Sequence, residues 1–181
     1  MENNASPIPR RTLTVLVDNE PGVLARVTSL ISGRGFNIES LSVAETMDPR
    51  VSLITLITSG SPQIIEQIIK QLRKLINVIK VVDLTEDDFV EKQLVLVKVK
   101  AVGADRAELR SLCEIFKGKI LDVSPRTYTM EFTGNEKKIR DILILLDDFG
   151  IEEQVSTGLT AMARTRLFKK ERPASNSDPR G

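Results

Sequence analysis

The 181-residue chain has no histidine and no tryptophan, one cysteine and one tyrosine. A single cysteine cannot close an intramolecular disulfide, and the missing histidine removes the commonest metal ligand and acid-base group. No Ser-x-x-Lys, Gly-x-Ser-x-Gly, Walker A or Gly-x-Gly-x-x-Gly signature follows any predicted strand. No catalytic residue, metal site or cofactor is therefore expected. Neither sign of charge is in excess: 26 basic residues face 25 acidic ones, for a net charge of +1. That balance gives no global attraction to nucleic acid or anionic lipid. No apolar run reaches membrane-spanning length, and Met1 to Pro7 lack the basic start and apolar core of a signal peptide. A soluble, cytoplasmic protein is the expectation. Aromatics make up only 4% of a chain that is 41% hydrophobic, so Val, Ile and Leu must build the core. Such a composition suits a sheet covered by helices.

The stretch around which the chain is organised runs from Val17 to Val27. Before it, Leu13, Val15 and Val17 alternate in a β-branched run from Arg11, which predicts a strand. After it, Val23, Leu24, Val27, Leu30 and Ile31 recur at helical spacing, predicting a helix over 22–34, with Pro21 where a first helical turn tolerates it. A strand thus delivers the chain to a helix N-terminus at Pro21-Gly22. Gly22 lets a ligand approach the backbone, and free amides with the positive end of the helix dipole favour a carboxylate. Asn19 adds a donor and an acceptor. Taken alone, Asn19 to Gly22 also reads as an ordinary strand-to-helix turn.

Gly33 and Gly35 bracket the predicted helix end, where a left-handed cap favours glycine. Asn37 to Ala44 and Val51 to Ile57 read as a hairpin about Asp48-Pro49-Arg50. Ser61-Pro62 opens a second helix with a stripe of Ile64, Ile65, Ile68, Ile69, Leu72 and Leu75, and Asn77 to Leu84 closes the unit as a strand. The order β-α-β-β-α-β is the ferredoxin-like arrangement, with two helices on one face of an antiparallel sheet. After an acidic linker the order repeats: a strand over 92–101, a helix capped by Asp105 and ended by Gly118, and a hairpin about Pro125-Arg126. A helix then follows Asn135 with Ile139, Ile142, Leu143 and Leu146 inward, and a last strand covers 152–157. The expected class is α+β, two tandem βαββαβ modules over 10–84 and 92–168, with a linker at 85–91 and a disordered tail at 169–181. Five basic residues between Arg164 and Arg172 read as solvated. Cys113 shares an apolar helical stripe with Leu109, Leu112 and Phe116 and reads as a core thiol.

An RNA-recognition module shares this element order but displays base-stacking aromatics on its central strands. Here the first module's central strands carry Ser42-Val43-Ala44 and Ile54-Thr55-Leu56, and the second offers only Tyr128 and Phe132. No nucleic-acid partner is expected.

Residues Leu13 to Leu41 resemble an ACT domain, a small amino-acid-sensing module. Asn19-Glu20-Pro21-Gly22-Val23-Leu24-Ala25-Arg26-Val27, followed by Arg34-Gly35-Phe36-Asn37-Ile38-Glu39-Ser40-Leu41, is similar to the small regulatory subunit of acetolactate (acetohydroxyacid) synthase. Leu94 to Val99, Ile120 to Val123, Glu131 to Gly134, Phe149-Gly150-Ile151 and Thr157-Gly158 extend the similarity over residues 10 to 168. The resemblance departs at Ser156, where the family carries Arg before Thr-Gly.

The resemblance implies a non-catalytic subunit that binds a thiamine-diphosphate-dependent catalytic subunit, raises its activity and confers feedback inhibition by valine or another branched-chain amino acid. It implies a homodimer through the ACT domain, with the effector at the interface. Asn19, Gly22, Val23 and Leu24 would come from one chain, and Asn37 and Ile38 from its partner. A free-standing ACT-type sensor acting on a different partner is the alternative.

Overall fold

The computed structural model describes residues 10–33 and 35–164. In the first module β1 (Arg10–Asp18), α1 (Val23–Ser32), β2 (Ile38–Glu45), β3 (Val51–Ser59), α2 (Pro62–Leu72) and β4 (Val78–Asp83) follow the expected order. Their antiparallel sheet runs β2-β3-β1-β4, so β2 and β4 are its edges. Leu13, Val15 and Val17 of β1 meet Ile54 and Leu56 of β3, with Val23, Val27 and Ile31 of α1 and Ile65, Ile68 and Leu72 of α2. Both helices therefore cover one face, as the period-two and period-3.6 patterns require. Burying each of these Leu, Ile and Val side chains contributes about 1.5–3 kcal/mol before entropic costs.

The second module repeats the plan: β5 (Phe89–Lys100), α3 (Asp105–Ile115), β6 (Lys119–Val123), β7 (Thr127–Gly134), α4 (Glu136–Asp147) and β8 (Ile151–Ser156). Its sheet runs β6-β7-β5-β8, and Val95, Val97, Val99, Tyr128, Met130 and Phe132 pack against Leu109, Cys113, Ile139, Ile142 and Leu146. One further strand, β9 (Thr160–Ala163), pairs with Phe89 to Lys92 at the start of β5.

Several local expectations change. Phe89, Val90 and Glu91, assigned to the 85–91 linker, are the first residues of β5, drawn into a ladder by β9. Strand β9 itself was not expected, because four residues carry too little periodicity to read. Pro21 and Gly22 lie ahead of α1 rather than in its first turn. Asp105 is inside the first turn of α3, with Ala104 at the N-cap, so its carboxylate faces the helix dipole instead of capping. Gly118 does not supply the left-handed residue that ends α3: Lys117 does, at φ 53. The amides of Lys117 and Gly118 return to the Glu114 and Cys113 carbonyls at 3.0 and 2.7 Å, which completes a Schellman closure. Gly118 is instead fixed by space, since a Cβ there would lie 2.4 Å from the Phe132 ring. At the end of α1 the left-handed glycine is Gly35 (φ 76), while Gly33 remains helical at φ −62. Asn135 caps α4, accepting from the Lys138 amide at 3.0 Å. The tail at 169–181 and most of the basic cluster lie outside the described residues. Arg164, which is described, pairs with Asp88 at 2.9 Å, so these two charges of the linker and the cluster meet.

Candidate functional site

Strand β1 ends at Asp18 and the next four residues, Asn19 to Gly22, are exposed. The Val23 amide reaches back to the Glu20 carbonyl at 3.3 Å, and Gly22 has φ 83 and ψ −6. Proline at the second position and a left-handed glycine at the third are the signature of a type II turn. The turn places Gly22 at the N-cap of α1 with no side-chain cap, and a Cβ added at Gly22 would meet nothing within 4 Å. The Val23 amide, expected free, is engaged weakly within the turn, so the helix-dipole end is presented by its neighbours. Val23 is buried, whereas Leu24 is 40% exposed beside the turn.

Asn19 is held from a distance. Its amide nitrogen donates to Glu45 Oε1 and to the Pro49 carbonyl, both at 2.9 Å, and its backbone amide donates to the Arg50 carbonyl at 2.7 Å. Both amide hydrogens are thereby used, and Oδ1 remains as the acceptor. On the other side Asn77 braces the turn. Its side chain donates to Glu20 and Asp18 at 3.1 and 3.3 Å and accepts from Arg26 at 2.7 Å. Glu45, Asn77 and Arg26 thus belong to this corner, and no local pattern could have revealed partners 26 to 59 residues away.

Asn37 and Ile38 lie elsewhere in the same chain. Ile38 pairs with Thr58, and Thr58 lies opposite Arg11 near the start of β1, while the turn follows the other end of β1. The length of β1 separates the two groups, roughly 25 Å at a rise of about 3.3 Å per residue. Asn37 is exposed, its carbonyl accepting from Thr58 Oγ1 at 2.8 Å, and Ile38 packs against the first core. The six candidate residues therefore fall into two groups, Asn19-Gly22-Val23-Leu24 and Asn37-Ile38, which one chain does not bring together.

A second feature lies between the modules. Ile57 and Leu84 meet Leu159 and Ala161 on the sheet face away from α1 and α2. The Leu159 amide donates to Ser40 Oγ at 2.9 Å, and Ser42 Oγ and Thr160 Oγ1 are 3.4 Å apart. Arg10 forms ion pairs with Glu39 of β2 and Glu136 of α4. Burial alone would lower the Arg10 pKa, but hydrogen bonds and charge from Glu136 and then Glu39 outweigh it and hold the guanidinium above its ordinary value. A cleft of about 420 Å³ opens beside this seam, lined among others by Arg10, Glu39, Gln93, Glu136 and Ser156.

The remaining candidates are structural. Tyr128 and Phe132 are buried in the second core, with Arg106 lying 4.6 Å over the Tyr128 ring. Cys113 is buried, and burial raises its thiol pKa, with a smaller push from Glu114. Among the described residues no group of three or more His, Cys, Asp and Glu side chains could hold a metal ion, and no helix is long and apolar enough to cross a membrane.

Comparison with known proteins brings the two modules together. Residues 13–80 match the model of the AHAS small subunit-like ACT domain, and residues 92–165 match the small subunit of acetolactate synthase. The acetolactate synthase small subunit of Aquifex aeolicus is 47% identical over 165 residues, covering 91% of this chain and 86% of the relative. That of Haemophilus influenzae is also 47% identical, over 86% of this chain and 96% of its own. The crystal structure of the acetolactate synthase small subunit from Thermotoga maritima superposes with a TM-score of 0.79 at 38% identity, covering 88% of this chain and all of the other.

Proposed function

Since this chain belongs to the acetolactate synthase small-subunit family, we propose that it is the regulatory, non-catalytic subunit of that enzyme. It activates a thiamine-diphosphate-dependent catalytic subunit and, on binding valine or another branched-chain amino acid, lowers that activity. The observation that carries the reading is the exposed type II turn at Glu20 to Val23, with open space over Gly22 and the Asn19 acceptor fixed beside it. A zwitterion matches this corner. The start of α1 and Arg26 suit its carboxylate, and Asn19 Oδ1 with Glu45 suits its ammonium. Leu24 and the partner's Ile38 supply apolar contact for the side chain.

The two-group geometry supports a dimeric site. Strand β2 is a sheet edge, and Asn19 is bonded to Glu45 at its last residue. If two copies pair β2 against β2 about a two-fold axis, the strands run antiparallel. The partner's Asn37 and Ile38 then arrive at the end of β2 that holds Asn19. Each dimer would contain two such sites. Selectivity among Val, Leu and Ile should be modest, because one methylene is worth about 1–3 kcal/mol in an apolar pocket.

The test is reconstitution with the catalytic subunit. Acetolactate formation is measured with and without this chain, and then across a titration of valine, leucine and isoleucine. Stimulation by the chain and suppression by one of the amino acids is expected. A rate indifferent to the chain would refute the proposal.

A further inference from the structure

The seam between the modules lies on the same strand as one of the proposed half-sites. Strand β2 begins at Ile38, and within four residues it supplies Glu39, Ser40, Leu41 and Ser42 to contacts with the second module or with Arg10. At the centre of these contacts Gly158 lies against the backbone of Leu41. A Cβ on Gly158 would sit 2.1 Å from the Leu41 carbonyl oxygen and 3.0 Å from the Ser42 amide. The obstacle is backbone rather than the end of a flexible side chain, so it cannot step aside by changing rotamer. β2 is hydrogen-bonded to β3 alone, and its register slips between Ile38 and Ser40. The slip interrupts its ladder at the point where the effector half-site begins. The cleft that contains Arg10, Glu39 and Glu136 is lined by Ser40, Leu41, Thr157, Gly158 and Leu159 as well, so it opens at the seam itself.

We propose that the contact of Thr157 to Thr160 with β2 is the coupling element of the regulation. The closed seam holds the second module in its activating placement, and an amino acid bound at Asn37-Ile38 shifts β2 and opens the seam. The proposal rests on the effector-site reading above. It assigns the coupling to a contact with no slack: Gly158 transmits a displacement of a few tenths of an ångström because nothing between it and Leu41 can absorb the change. The Arg10 pairs to Glu39 and Glu136 tie the same strand to α4 and re-close the seam when the effector leaves.

Opposite perturbations must then give opposite results. Ser42→Cys with Thr160→Cys introduces thiols where the native hydroxyl oxygens are 3.4 Å apart, and an oxidised bond between them locks the seam closed. Cys113 is buried away from this position. In the full-length holoenzyme the oxidised form should keep its activation while its midpoint for inhibition by valine rises about tenfold, within the range usual for allosteric coupling, and returns on adding reductant. Gly158→Ala forces the seam open, so the midpoint should fall and activation in the absence of valine should drop. The reversible lock is measured on one sample before and after reduction, which separates it from any folding defect of Gly158→Ala. Equal valine responses of the oxidised and reduced forms overturn the proposal. Failure of the underlying reading is recognised separately, by calorimetry on the wild-type chain that finds no binding of valine, leucine or isoleucine.

Discussion

Replacing Gly22 with Asp separates the cost of distorting the turn from the cost of blocking the effector. Gly22 sits at φ 83, where a side chain is strained, but its Cβ position has no neighbour within 4 Å. The fold therefore loses only the backbone term, about 1 kcal/mol, at the low end for a left-handed residue because Asp tolerates that region. In a domain of this size that shifts the melting temperature by roughly 4–8 °C. The new carboxylate points into the open space over the helix start. An effector carboxylate about 5 Å away would be repelled by about 0.8 kcal/mol at the dielectric of water and about 3 kcal/mol at an effective value of 20. Valine affinity should then weaken by about 4- to 200-fold, while activation of the catalytic subunit persists. Gly22→Ala carries similar strain without the charge and should lose much less affinity. Calorimetry for binding, scanning calorimetry for stability and holoenzyme turnover for activation read the three quantities. Unchanged valine affinity in Gly22→Asp would refute the site, and equal losses in both variants would place the effect in the backbone rather than in the charge.

At the end of α3 the left-handed residue is Lys117, so Lys117→Gly should stabilise the fold by about 1 kcal/mol, read as a rise in urea midpoint; a fall would refute the strain argument. Gly118→Ala should destabilise by roughly 1–3 kcal/mol, because the added methyl meets the Phe132 ring at 2.4 Å and the Glu131 carbonyl at 2.9 Å. Asn135→Ala removes the cap of α4 and should cost about 1 kcal/mol in the same assay. The raised pKa of Cys113 makes the folded state favour the neutral thiol. Its contribution is fully present below the ordinary thiol value and is lost as pH rises through the raised one. The urea midpoint should accordingly fall as pH rises above the ordinary thiol value of about 8.5, with a shallower fall in Cys113→Ala. Equal slopes would show that the thiol is not responsible.

Most of the secondary structure could be read in advance because its determinants are local. The stripe from Ile64 to Leu72 specifies an amphipathic helix by spacing alone, and Leu13, Val15 and Val17 specify one face of a strand. Asn135 announces a helix start through its own side chain. Where two residues compete for one role, position alone was insufficient. Lys117 takes the left-handed conformation because its neighbour Gly118 is needed bare under Phe132, a contact across fourteen residues. Strand β9 and the first four residues of β5 stabilise each other, so neither segment reveals the pairing by itself.

The sequence by itself determined that this protein has no histidine and a single cysteine, that it folds as two βαββαβ modules, and that its family resemblance lies around Asn19 to Leu24 and Asn37-Ile38. These are properties of composition, periodicity and short motifs, which chain neighbours encode. Only the tertiary structure decided that the two motifs stand about one strand length apart and that Glu45 and Asn77 hold the turn from both sides. It also decided that Gly158 presses on Leu41. The physical reason is that such relations depend on strand register and on backbone approach between distant segments. Register and approach are fixed when the sheets assemble, not by any residue's own preference.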